Sequence, residues 1–596
     1  MSQYHAPLAE MQFVLNELAG LEQISQLAGF GDATPDTAAA ILEEASKFAT
    51  DVLDPLNIVG DREGARRQDD GTVTMPTGFK DAYRQYCENG WMGFAKNPEY
   101  GGQGLPQLLA TAVEEMWHSS NLAFDLCSML TQGAIEAIEL RGSDALKQKF
   151  LPNMVAGVWT GTMNLTEPQA GSDLAAVRTR AVPQGDGTYK LYGQKIFITY
   201  GDHDYTENII HLVLGRTPDA PQGVKGISLF VVPKVLVNAD GSLGARNDVH
   251  CVSLEHKLGI HASPTAVLAF GDNGGAEGVL VGKLNEGLAA MFTMMNYMRL
   301  GVGAQGVGCS DRAYQLAVTY ARDRKQGRAP GEKGVVPIIR HPDIRRTLML
   351  MRSLTQASRA ITYYTASCLD RGNHGADAEA ATVWQARAEL MTPIAKAWPT
   401  EVGQEVTSLG VQVHGGMGYV EETGAAQFYR DVRIASIYEG TNAIQAIDLV
   451  GRKLMRDGGA TVSAFVSEMR EQDARLANAG EEFATVRQAL AKGLDEVVLC
   501  SSYLLSGEKK DPELVSSAAF NYLMLLGTVI GGWQLARGAL AAAAELGAPG
   551  ADRVFLQTQV LMARFYAEQV MPRAFAHGAA VRAGSSTIMA LAAENY

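Results

Sequence analysis

Apolar residues recur at helical spacing through the opening stretch of the chain, as in Ala38, Ile41, Leu42, Ala45, Phe48 and Ala49, so helices are predicted to about residue 155. A Gly/Pro-rich turn at Pro98–Gly102 punctuates them. From about residue 160 the period changes. Lys195–Tyr200, Ile209–Leu214, Ile227–Val232 and Ala266–Phe270 are β-branched or aromatic runs divided by turn signals such as Gly185-Asp186-Gly187. They predict short antiparallel strands curled into a barrel or sandwich. After Glu286 the helical pattern returns (Leu288, Met291, Met295, Met298, Val302) and persists to about Arg452; a last helical stretch begins near Gly458 and has a polar break at Gly507–Asp511. The expected fold class is therefore α+β and multidomain: an N-terminal helical domain over 1–158, a middle antiparallel β-barrel or sandwich over 159–283, a helical bundle over 284–455 and an additional C-terminal helical domain over 456–596.

One helical stretch is a membrane-span candidate, because Leu514 to Ala536 carries no formal charge. Ser516, Ser517, Asn521, Thr528, Gly531, Gly532 and Gln534 interrupt it, and a buried helix accommodates these more cheaply than lipid does. A core helix is expected, and membrane association is not. The chain of 596 residues has a net charge of −14, which argues against a nucleic-acid partner or an anionic membrane surface. Its 6 cysteines are widely spaced and form no Cys-x-x-Cys cluster with the 11 histidines, so reduced thiols and no metal site are expected. The start Met-Ser-Gln-Tyr-His-Ala-Pro lacks a basic and apolar leader, and a cytoplasmic location is expected.

Two isolated charges carry the candidate chemistry. Glu439 is the only ionisable acid or base between Ile434 and Ile447. Burial there would raise its carboxyl towards the range of a general base, whereas a helix N-terminus would favour the charged form; Asn442 followed by Gln445 resembles a capping box just downstream. A carboxylate that serves only the helix end is the bland alternative. Arg299 is the sole charge between Gly287 and Ser310, and must snorkel, pair with an internal carboxylate or meet an anionic ligand; the internal pair is favoured. The same segment holds Gly301-x-Gly303-x-x-Gly306, the letters of a dinucleotide fingerprint. With no strand before it and helical spacing running through it, close helix packing is the better explanation. Residues 164–173 and 412–418 are rich in Gly and small polar residues, suited to holding phosphate or a polar ring edge.

In order along the chain, PEYGGQGLP (98–106), LTEPQAGSD (165–173), KIFITYG (195–201), KLGIHASPT (257–265), RDRKQG (322–327), QVHGGMGY (412–419) and YRDVRIASIYEGTNAIQ (429–445) resemble the acyl-CoA dehydrogenase family. The resemblance implies a helical domain, a middle β-domain and a four-helix domain. It also implies FAD-dependent α,β-dehydrogenation of an acyl-CoA thioester to the trans-2-enoyl-CoA, with electrons passed to electron-transfer flavoprotein. Glu439 matches the catalytic base, whose backbone N–H together with a flavin ribityl hydroxyl polarises the thioester carbonyl. Leu165, Thr166, Ser172, Phe197, Thr199 and Thr441 match flavin contacts, with Phe197 where Trp is commoner. Arg324, Gln326, Gln412, Gly415 and Gly416 match positions that hold the FAD of a neighbouring subunit, which implies a homodimer. Ser172, Asn296, Arg299 and Gly440 match substrate contacts, with Asn296 where Asp is frequent. The tail beyond residue 451 resembles that of a long bacterial subgroup acting on fatty acyl-CoAs and on 3-(methylthio)propionyl-CoA. An oxygen-using acyl-CoA oxidase and a catalytically silent flavoprotein scaffold are the alternatives.

Overall fold

The β-branched runs pair as β1 (Trp159–Asn164), β2 (Arg180–Pro183), β3 (Thr188–Thr199), β4 (Asn208–Gly215), β5 (Ser228–Pro233), β6 (Val249–Leu254), β7 (Thr265–Phe270) and β8 (Ala276–Val281). Their order is β6-β7-β3-β8-β5-β4-β1, with β2 also against β3. They lie in a unit made of Lys47–Leu105 and Ser120–Met298, in a computed structural model that describes residues 3–596. The pairs are antiparallel except β1 and β4, which run parallel from Trp159↔Asn208 to Asn164↔Val213. A parallel pair needs a long crossover, here the segment carrying β2 and β3, so no local signal marks it. The long strand β3 curls the sheet. Its Thr188–Leu191 half pairs with β8 and its Gly193–Thr199 half with β7. Leu191, Ile198, Val213, Phe230, Leu268 and Phe270 from these strands form one buried apolar cluster.

The second unit comprises the N-terminal residues up to Ser46, Pro106–Ser119 and Arg299–Tyr596. Its main helices are α1 (Gly287–Asp323, entering the unit at Arg299), α2 (Pro342–His374), α3 (Ala378–His414), α4 (Ala425–Val432), α5 (Asn442–Asp448), α6 (Ala484–Gly507), α7 (Leu514–Glu545), α8 (Arg553–Gln569) and α9 (Pro572–Arg582). The glycines of the would-be fingerprint lie where α1 crosses α3. A Cβ at Gly303 would stand 2.0 Å from the Ala395 carbonyl oxygen, and one at Gly306 would stand 2.3 Å from that of Pro399. Pro399 lies inside α3 and has no N–H to give the Ala395 carbonyl, so the glycine backbone closes on a carbonyl that lacks its helical donor.

Arg359 of α2 is fully buried and gathers Glu115 at 2.6 Å, Asp311 at 3.1 Å and Glu10 at 3.3 Å. Among the described residues, α7 is the helix long and apolar enough to cross a membrane, and 67 % of its most apolar window is buried within the fold. Cβ atoms at its Gly527 and Gly531 would meet Trp398 of α3 and Ala357 of α2, so the tail packs on the same bundle.

Candidate active site

After α4, one turn of 3-10 helix (Arg433–Ser436) leads into Ile437-Tyr438-Glu439-Gly440 and then α5. Glu439 (φ 56°) and Gly440 (φ 84°) are both left-handed. Glycine adopts this freely, but at a glutamate it costs about 1–3 kcal/mol and persists only where the surroundings hold it. Gln445 supplies that hold: its Nε2 donates to the carbonyls of Glu439 and Gly440, each at 3.3 Å. The N-cap is Thr441, whose Oγ1 accepts from Ile444 N–H at 3.3 Å. The predicted capping box is thus displaced by one residue, and Thr441, matched to a flavin contact, uses its hydroxyl to cap α5. Asn442, released from capping, is buried: its Oδ1 accepts from Lys396 Nζ at 2.8 Å and its Nδ2 donates to Glu401 Oε1 at 2.7 Å.

Glu439 is partly exposed as a residue, yet its Oε2 is buried and has no hydrogen-bond partner among the described residues. Burial pushes the carboxyl up to about 7, against the opposing charges of Lys396 and Arg299. Of the influences on this carboxyl, desolvation is the largest. The Glu439 N–H makes no hydrogen bond among the described residues. Arg299 is buried, with Nη1 3.7 Å from Asp448 Oδ2, so its charge has the internal carboxylate partner expected. Lys396 was missed in the sequence. It is the sole charge in Leu390–Thr400, the same kind of isolation that singled out Glu439 and Arg299.

In the sheet unit, Leu165 and Thr166 follow β1, and their loop is fastened to β3. Lys195 Nζ donates to the Leu165 carbonyl at 3.0 Å and to Glu167 Oε1 at 2.8 Å, while Ile196 N–H donates to the Thr166 carbonyl at 2.9 Å. Glu167 also accepts from Arg178 N–H, Thr179 N–H and the Thr179 hydroxyl. Burial alone would raise this carboxyl; Lys195 and the hydrogen bonds outweigh it and hold it at about 2. Around Thr199 the backbone is left-handed at Phe197 (φ 59°) and Tyr200 (φ 49°), and the Tyr200 hydroxyl is tied to the Ala123 carbonyl at 2.7 Å. Phe197, 58 % exposed, sits on this constrained backbone. A large apolar ring held outward beside a fastened loop suits the face of a flat heterocycle, so these residues fit an isoalloxazine ring. Ser172 lies exposed further along the same loop.

Glu439, Gly440, Thr441 and Arg299 are thus brought together in one unit, and Leu165, Thr166, Phe197 and Thr199 in the other. Asn296 is exposed on α1, one turn before Arg299. Arg324 and Gln326 follow the end of α1, and Gln412, Gly415 and Gly416 lie at the end of α3; all are exposed. The two helix ends are joined by Tyr320 and His414, whose ring centroids are 4.5 Å apart. Nothing stands within 4 Å of a Cβ placed on Gly415 or Gly416.

Family models cover nearly the whole chain: acyl-CoA dehydrogenase, N-terminal domain over 35–158, middle domain over 162–273 and C-terminal domain over 285–455, then acetyl-CoA dehydrogenase C-terminal like over 460–592. The chain belongs to the acyl-CoA dehydrogenase family. It is 48 % identical over 570 residues to 3-methylmercaptopropionyl-CoA dehydrogenase of Ruegeria pomeroyi, covering 95 % of this chain and 96 % of that one. It is 34 % identical to the broad-specificity linear acyl-CoA dehydrogenase FadE5 of Mycobacterium tuberculosis, covering 96 % of both. Its fold is that of Caenorhabditis elegans ACDH-11 in complex with C11-CoA (TM-score 0.76, 20 % identity, 96 % of this chain and 93 % of that one). Similar, too, is an acyl-CoA dehydrogenase of Bacillus anthracis complexed with FAD (TM-score 0.73, 22 % identity, 96 % and 91 %). The protein is an acyl-CoA dehydrogenase, a flavoenzyme whose cofactor is FAD.

Proposed function

We propose that Glu439 is the base that takes the α-proton of an acyl-CoA thioester, with 3-(methylthio)propionyl-CoA the first substrate to test. The observation that carries this reading is the buried, hydrogen-bond-free Oε2 on a carboxyl raised to about 7, close to the proton affinity a base needs at neutral pH. A thioester α-proton is weakly acidic, so its removal requires the carbonyl to be polarised as enolate charge develops; the unbonded Glu439 N–H is a donor for that oxygen. Bound FAD supplies the acceptor for the β-hydrogen as hydride. Leu165, Thr166, Phe197 and Thr199 hold its ring, with Ser172 beside them, and Thr441 is its further contact. Asn296, Arg299 and Gly440 face the CoA thioester. Arg324, Gln326, Gln412, Gly415 and Gly416, exposed at paired helix ends, serve the FAD of a second copy in a homodimer. Electron-transfer flavoprotein is the electron acceptor, and the setting is the cytoplasm. The relative at 48 % identity supports the thioether-bearing substrate.

The test is an anaerobic titration of FAD-loaded wild type and Glu439→Gln with 3-(methylthio)propionyl-CoA and straight-chain acyl-CoAs of graded length. Bleaching of oxidised flavin in wild type, with none in a variant that keeps its flavin, is expected. Fast bleaching of the variant overturns the assignment.

A further inference from the structure

Lys396 has no exposed surface and makes no ion pair among the described residues. Its ammonium is bonded to a neutral amide oxygen, Asn442 Oδ1, at 2.8 Å. A buried ammonium is costly unless a counter-charge offsets it, and an amide gives a hydrogen bond without neutralising the charge. The other cation near the base is arranged differently. Arg299 has Asp448 as an internal partner at 3.7 Å, and Asp448 also draws Arg452 at 3.6 Å. The field of Arg299 is therefore partly cancelled by a carboxylate within ion-pair distance, whereas Glu401 acts on Lys396 from beyond the intervening Asn442 amide.

The arrangement around Asn442 keeps it so. Its amide is oriented by two partners of opposite kind, Lys396 Nζ at the oxygen and Glu401 Oε1 at the nitrogen, with Thr400 Oγ1 accepting at 3.0 Å. Asn442 also opens α5, three residues after Glu439, so the same side chain locks the end of the Glu439 loop to α3. Gly303 and Gly306 let α1 close on α3 beside Lys396, at Ala395 and Pro399, which brings α1 and its Arg299 to the same crossing.

From this geometry we infer that Lys396 is a positioning residue whose ammonium lowers the proton affinity of Glu439, fixed in place by the Asn442–Glu401 relay. The inference rests on Glu439 being the base. The charged groups concerned are Lys396 on α3 and Arg299 on α1 facing Glu439, and Glu439, Arg299 and Glu401 facing Lys396. Burial lowers the Lys396 ammonium to about 7, with Glu439 and Glu401 favouring the charged form against Arg299, so base and ammonium titrate as a coupled pair. Ionised Glu439 favours the protonated form of Lys396, and protonated Lys396 favours the ionised form of Glu439.

The test is the pH profile of kcat/KM for the FAD-loaded enzyme and its Lys396→Gln and Lys396→Arg variants. Glutamine keeps a hydrogen-bond donor on a side chain one bond shorter and removes the charge; arginine retains the charge. In K396Q the acidic limb should move up by about one pH unit, the scale expected when an opposite charge near a carboxylate is removed. In K396R it should stay near the wild-type position even if kcat falls. Should K396Q not fold, Lys396→Met, which also removes the charge, carries the same upward shift. A K396Q limb unmoved from wild type overturns the inference, as does a K396R limb that moves as far as that of K396Q. Bleaching of Glu439→Gln by substrate would instead remove the base itself, so the two failures are told apart.

Discussion

Lys195 and Glu167 form a buried ion pair, Nζ to Oε1 at 2.8 Å, at the root of the loop that carries Leu165 and Thr166. Removing one partner strands the other's charge, so Lys195→Met should cost about 3–5 kcal/mol, and Lys195→Met/Glu167→Gln less than the single change. The Glu167 carboxyl is held at about 2, below its ordinary 4.5, so its contribution is full above pH 4.5 and fades as pH falls towards 2. Urea unfolding at pH 7 and at pH 3, with flavin retention measured alongside, checks both points: the gap between wild type and K195M/E167Q should narrow at the lower pH.

Because the Glu439 carboxyl lies near 7, kcat/KM should rise with pH through about 7 instead of levelling off above 5 as for an ordinary carboxylate. A carboxylate proposed as a base works only when ionised, which fixes the sign. Initial rates from pH 5.5 to 9 with one saturable acyl-CoA provide the measurement, and a flat profile over that range would count against the assignment.

Arg359→Met leaves Glu115, Asp311 and Glu10 without their shared cation. A loss of about 3–5 kcal/mol in the unfolding free energy of the holoenzyme is expected. The residual folded enzyme should keep its wild-type pH profile, because Arg359 is not among the charges acting on Glu439.

Gln445 holds the two carbonyls of the left-handed pair, so Gln445→Leu frees the strained turn while leaving the carboxylate in place. The expected result is a kcat lower by up to about a hundredfold, the scale on which a misplaced reacting group is felt, with CoA-thioester binding little changed. Stopped-flow flavin reduction separates the two quantities.

The order of helical and sheet regions was legible because each has its own hydrophobic period, and Glu439 and Arg299 stood out because a lone charge in an apolar stretch must be accounted for. The parallel placement of β1 was not legible. It depends on a strand about 50 positions away, and Trp-Thr-Gly-Thr-Met-Asn carries no signal of direction. The one-residue slip in the cap of α5 has a different cause. Thr441 and Asn442 are both good capping residues, and the choice fell to Thr441 because Lys396 and Glu401, distant in sequence, compete for the Asn442 amide. Lys396 was within reach of the same isolation argument applied to its neighbours, but the role inferred for it depends on which amide it meets, and that is a tertiary fact.

The backbone at position 439 has a further consequence. The amino acid that suits this conformation best is glycine, which has no proton acceptor, so selection for heat resistance alone would discard the residue found there. The carboxylate persists against the preference of its own main chain, and on the reading of Glu439 as the base, a thermostabilised derivative made without regard to turnover is expected to lose its chemistry here first.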